Sequence, residues 1–339
     1  MTRAYRPLDL SAVTTHSIEQ RAHQVQIDRF AAPPQAGETF SKFVEGLPRI
    51  LKGSELREVV DALALAVRER KPIILGLGAH VVKCGLSPVI IGLIQRGIVS
   101  AVALNGGGAI HDVELALWGA TSEDVEAGLR EGRYGMVAET GGAIQEAAGQ
   151  ATALPEEESW GLGWALGRWL HRAGARYGNV SILQAAFEAG IPATVHVAIG
   201  TDTVHMLPGV DVGTMGALSH RDFRLLASVV AQLQDGGAYL NAGSAVVLPE
   251  VFLKCVALCR NLGYPIGGFT TVDIDMVSNY RPATNVVARH RVLGARGYAF
   301  TGHHELMVPL LAFALLDRLA ADAAAPHATV NGHRERDDD

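Results

Sequence analysis

Apolar positions in this chain follow two alternating periods. Short continuous apolar runs recur at residues 72–77, 98–104, 191–199, 238–241, 269–275 and 298–300. Runs of this length and composition suit strands buried on both faces of a parallel sheet. Between them lie stretches with apolar residues three and four apart. Leu56, Val59, Val60, Leu63 and Val67 form one such stripe, headed by Ser54 as the expected N-cap. Ser87 and Pro88 open a helix that Gly97 is placed to close. Thr121 and Asp124 predict a short helix ended by Gly132, and residues 139–151 a looser one. Pro155 and Glu156–Glu158 predict the start of a helix carrying Trp160, Trp164 and Trp169 and ending near Arg176. Ser181 starts the next helix, and Ser219 with Asp222 are read as the start of the one that runs to Leu233. Further helices are expected from Pro249 to Gly263 and from Leu306 to Ala321. Strands alternating with helices predict an α/β fold: a doubly wound, mainly parallel Rossmann-like sheet with helices on both faces. A single domain over residues 41–322 is expected, with an N-terminal arm (1–40) and a disordered C-terminal tail (323–339).

The strand ends hold the candidate chemistry. The first run breaks into Gly76-Leu77-Gly78-Ala79-His80 and the second into Asn105-Gly106-Gly107-Gly108. The third ends in Gly200-Thr201-Asp202-Thr203-Val204-His205, the fourth in Ala242-Gly243-Ser244. Asn279-Tyr280-Arg281 and Gly302-His303-His304 follow the fifth and sixth. Ligands of open α/β sheets bind outside such carboxyl ends, where glycine lets backbone N–H groups approach a phosphate.

Composition narrows the classes. The net charge of −6 offers no electrostatic footprint for nucleic acid, and no apolar run is long enough to cross a membrane. The first residues lack the apolar core of a signal peptide. The cysteines are Cys84, Cys255 and Cys259, an odd and small set that argues against a disulfide framework and for a cytoplasmic protein.

Four motifs in order, GLGAHVVKCGL with NGGGAIHD, GTDTVH, AYLNAGSAVVLPEVF and GYAFTGHHELMVPLL, resemble the deoxyhypusine synthase family over roughly residues 40–320. The resemblance implies that NAD is the cofactor. It places Gly78, His80, Asn105, Gly106, Gly107, Gly108, Asp112, Thr201, Asn241, Gly243 and Ser244 at the cofactor, with Asp112 or Asp202 facing ribose or nicotinamide. It also implies a homo-oligomer, a tetramer with sites near subunit boundaries, to which the three tryptophans lend support. One departure is chemical. The position of the family's reactive lysine is Leu248, and leucine forms no imine. The polyamine-binding pattern after the fifth strand is replaced by Asn279, Arg281 and Asn285.

What remains is histidine and carboxylate chemistry. Removing a hydride from a C–OH or C–NH carbon needs a base for the heteroatom proton. Asp202 orienting His205 is the expected pair, with Lys83, Glu250 and His303 as further catalytic candidates. His111, Asn279 and Arg281 are expected to contact substrate. Lys254 is a remote candidate to replace the missing lysine. Adjacent side chains rarely point at one ion, so His303 and His304 are a weak metal pair and no metal is expected. Two classes stay open: an NAD-dependent enzyme on a small polar amine or hydroxyl substrate, including aminobutyl transfer of the homospermidine-synthase kind, and a non-catalytic dinucleotide-binding protein.

Overall fold

The computed structural model describes residues 5–155 and 158–324. Six strands form one all-parallel sheet: β1 (Ile73–Leu77), β2 (Ala101–Asn105), β3 (Ala193–His196), β4 (Ala238–Ala242), β5 (Thr270–Asp275) and β6 (Arg296–Thr301), in the order β3-β2-β1-β4-β5-β6. Side chains alternate faces along each strand. Ile73, Leu75 and Leu77 join Val102, Leu104, Leu240 and Val272 in one core, while Ile74, Ala101, Ala103 and Tyr239 join a second core on the other face. This two-sided burial is why the central strand β1 is apolar along its whole length, while the edge strand β6 carries Arg296 and Thr301 at its exposed ends. The expected doubly wound Rossmann-like α/β fold is the observed one.

The first core is covered by α2 (Leu51–Arg68), α3 (Ala79–Lys83), α4 (Ser87–Gln95), α5 (Gly106–Trp118), α7 (Ala138–Thr152), α8 (Leu162–Ala173), α9 (Ile182–Glu188) and α12 (His304–Ala324). The second lies under α10 (Val212–Val230), α11 (Val247–Asn261) and the turns at 282–293. Two short helices, α1 (Phe40–Gly46) and α6 (Val125–Glu131), complete the set. Gly76 leaves room for the Tyr239 hydroxyl, and the Tyr239 ring stacks on Phe252 at 3.8 Å between centroids.

Several helix starts differ from expectation; α11 and α12 each begin two residues early, at Val247 and His304. Helix α2 begins at Leu51, so Ser54 lies inside it. Helix α4 takes Leu86 as its N-cap, one residue ahead of Ser87. Helix α8 begins only at Leu162: Gly161 adopts φ +156°, and a Cβ there would run into the Asp222 carboxylate. Trp160 therefore precedes the helix, while Trp164 and Trp169 pack on the chain's own core. Helix α10 starts at Val212, capped by Asp211, whose carboxylate accepts the Thr214 N–H at 3.1 Å. Ser219 and Asp222 face inward instead. Asp222 is fully buried and accepts N–H bonds from Gly163 (3.0 Å) and Val195 (2.8 Å), tying α8, β3 and α10 together.

Residues 5–39 are exposed and contain only two 3-10 turns, Ile18–Gln20 and Ile27–Arg29. Residues 323 and 324, assigned above to the tail, finish α12, and 325–339 lie outside the described residues. Among the described residues no helix is long and apolar enough to cross a membrane.

Candidate functional site

The chain runs outward from β1 through β2 to β3, then α10 carries it back to β4 beside β1. Connections from β1 and β4 thus diverge, opening a crevice at their carboxyl ends. Leu77 pairs with Leu104 on one side and Ala242 on the other, which brings the turns after β1, β2 and β4 level. Gly78 touches Gly243 backbone to backbone: its N–H donates to Ala242 O at 2.8 Å, and a Cβ on Gly78 would collide with the Gly243 carbonyl. Gly243 itself has φ +70°, a conformation that favours glycine.

On the β2–β3 side the strand ends form a cleft of about 580 Å³. It gathers Lys83, Asn105, Gly107, His111, Thr201 and Asp202, six residues singled out from sequence. Asn105 caps α5, its Oδ1 accepting the Gly108 N–H at 2.9 Å. No described bond engages the N–H groups of Gly106 and Gly107 at the positive end of this 13-residue helix. A Cβ on Gly107 would meet only the Ala79 methyl, at 3.5 Å, so the glycine keeps backbone open to the cleft without being needed for packing. Asp202 leans on Gly106, where no Cβ would fit, and its Oδ2 accepts the Ala198 N–H at 3.0 Å. Burial holds its carboxyl above the ordinary value, against that hydrogen bond.

Along the wall of this cleft runs a chain of side chains that the sequence did not announce. His111 Nδ1 lies 2.6 Å from Thr121 Oγ1, which donates to Glu114 Oε2, and Thr140 Oγ1 donates to Glu114 Oε1 at 2.9 Å. Burial raises the Glu114 pKa, but nearby His111, 3.9 Å away, and the bonds from Thr121 and Thr140 outweigh it and leave the carboxyl below its ordinary value. Glu114 sits three residues after His111 on one helix face, the single part of this arrangement a spacing argument could have found.

Other expected residues lie elsewhere. Asp112 does not face ribose or nicotinamide: it is fully buried and caps α9, accepting from Ser181 Oγ (2.5 Å), Ile182 N (2.7 Å) and Leu183 N (3.2 Å). Burial pushes its pKa up to about 6 despite these bonds. His205 shares no described side-chain hydrogen bond with Asp202. Its Nδ1 accepts the Gly200 N–H at 3.2 Å, and its Nε2 is buried without a partner.

The β4–β6 side holds the rest. Asn241 donates to Ser244 O and Asp273 Oδ1, and Ser244 Oγ accepts the Leu248 N–H at 3.2 Å. Asn279 donates to Asp275 and to Val277 O. Glu250 pairs with Lys254, Arg281 (3.2 Å) and Asn285 (2.9 Å), so Lys254 and Arg281 are engaged at the surface. Leu248 is 1% exposed in the second core. His303 is exposed 3.8 Å from Glu305, and His80 lies at the rim, its ring 5.5 Å from that of His304. His304, by contrast, is 1% exposed, with both ring nitrogens unpartnered and Nε2 3.5 Å from Asp275.

No family model matches the chain, and no curated protein is similar to it in sequence. Solved structures are. AgrE in complex with ornithine and NAD+ aligns with a TM-score of 0.52 at 17% identity, over 79% of this chain and 33% of its own. Unliganded AgrE aligns with a TM-score of 0.52 at 15% identity, over 78% and 32%. A candidate deoxyhypusine synthase from Entamoeba histolytica aligns with a TM-score of 0.48 at 11% identity, over 83% and 94%. The chain spans about a third of the length of the AgrE structures. The likeness shows the fold.

Proposed function

We propose that this chain is an NAD-dependent enzyme that removes a hydride from a small polar substrate held in the cleft above β2 and β3. The observation that carries the reading is the gathering of Lys83, Asn105, Gly107, His111, Thr201 and Asp202 in that one cleft, over an open helix N-terminus. The AgrE complex supports the cofactor, because a protein of the same fold holds NAD+.

The chain's residues fit the dinucleotide. Gly107 leaves space in the cleft that any side chain would fill. Gly106 and Gly107 offer N–H groups to an anion, with Asn105 and Thr201 beside them. Bound there, NAD supplies a hydride acceptor. Lys83, at the end of α3 on the cleft wall, supplies positive charge for the substrate or the phosphates. Leu248, buried in the core, supports a reaction other than deoxyhypusine synthesis, because leucine forms no imine.

Calorimetric titration with NAD tests the site. Gly107→Val should fold with little change in melting temperature, since its neighbourhood is open, yet weaken NAD by at least about tenfold by filling that space, roughly 1.4 kcal/mol. An unchanged affinity in folded Gly107→Val protein contradicts the assignment.

A further inference from the structure

We propose that His111 is the base that takes the substrate's heteroatom proton, held in the one useful tautomer by Thr121, Glu114 and Thr140. The inference rests on the function proposed above and adds a residue role to it.

The proton count fixes the tautomer. A threonine hydroxyl has one proton. Thr121 gives it to Glu114, whose carboxyl the same network holds below its ordinary value and so keeps as an acceptor. Thr121 Oγ1 can then only accept from His111, so Nδ1 carries the ring proton across the 2.6 Å contact. Nε2 is left with a lone pair. His111 lines the cleft, and no described hydrogen bond engages Nε2. Thr140 holds the second Glu114 oxygen at 2.9 Å, which stops the carboxylate from turning away. Three elements thus lock one ring: α5, the loop before α6, and α7.

The alternative base is in the wrong state. His205 Nδ1 accepts the Gly200 N–H, so its proton sits on Nε2, which is buried and unpartnered. It offers no lone pair to the cleft.

The step balances. One C–H and one O–H or N–H bond of the substrate break and a C=O or C=N bond forms. The proton goes to His111 Nε2, and the hydride leaves to the oxidised nicotinamide of the proposed function. The imidazolium that results lies 3.9 Å from Glu114, which favours its charge.

Nitrogen-15 spectra of histidine-labelled protein test this without a substrate. In the cofactor-free protein the His111 ring should be protonated on Nδ1, with that tautomer in excess by about tenfold, the worth of one hydrogen bond. Thr121→Val should abolish the excess, and Thr121→Ser, which keeps the hydroxyl, should retain it. Saturating NAD should then shift the Nε2 resonance. A ring protonated on Nε2, or a preference that survives Thr121→Val, overturns the proposal. NAD binding that leaves Nε2 unmoved also overturns it, by placing the base away from the cofactor. A protein that shows the predicted tautomer but fails to bind NAD overturns the proposed function instead.

Discussion

The turns after β2 and after β4 are both glycine-rich strand-to-helix junctions flanked by polar side chains, yet they use those side chains differently. After β2, Asn105 binds only its own helix, and Gly107, Lys83, Thr201 and His111 line open space. After β4, Asn241 is tied to Asp273 and Ser244, and Ser244 to Leu248. Farther along that side, Glu250 is tied to Lys254, Arg281 and Asn285. A polar residue at a strand end is a candidate for function only when its donors and acceptors are left to a ligand. By that measure the β2–β3 half is the candidate site, and the β4–β5 half, apart from His304 and the unpartnered Asn241 Oδ1, is largely closed on itself.

The largest effect should come from forcing the closed half to resemble the deoxyhypusine synthase pattern. Leu248→Lys would place an ammonium in the apolar cluster that holds Tyr239, Phe252 and Cys255. Stability should fall by about 3 kcal/mol or more. Thermal unfolding measures it, and a variant as stable as the wild type would show that the position opens to a ligand after all.

A smaller effect separates structural from functional carboxylates on α5. Asp112 is held protonated up to about 6, above its unfolded value near 3.8. The fold therefore binds a proton here that the unfolded chain has released. This contribution is complete below about pH 4 and is lost as pH rises through 6. The stability difference between wild type and Asp112→Asn should shrink over that window as pH rises, while NAD affinity changes little. A difference that grows with pH would reverse the sign and refute the buried, burial-dominated environment.

The smallest effect belongs to Glu250. Its bonds are at the surface, where ion pairs are worth at most about 1 kcal/mol. Glu250→Gln should leave stability within that margin and NAD affinity unaltered; a tenfold loss of affinity would move the site toward β4.

Much of this arrangement was legible in the residues. The existence of the six strands was legible because burial on two faces leaves apolar runs at the sheet centre, although β3 is shorter than its run and the edge strand β6 longer; glycine marked the turns because backbones meet there, as at Gly78 and Gly243. Ser219 and Asp222 misled because a cap and an inward hydrogen-bonding residue look alike in sequence. Only the structure shows that they serve β3. Asp112 looked like a ligand residue for the same reason. The link from His111 through Thr121 and Glu114 to Thr140 was invisible because it joins two helices and a loop, a contact no local spacing encodes.

Hydrogen exchange of the backbone with and without NAD tests the central claim most directly. The account predicts added protection at the amides of Gly106 and Gly107 and through residues 198–203, with no change across Glu250 to Asn285. Protection confined to the turn after β4 and to residues 275–285, with the α5 amides unaffected, would contradict it.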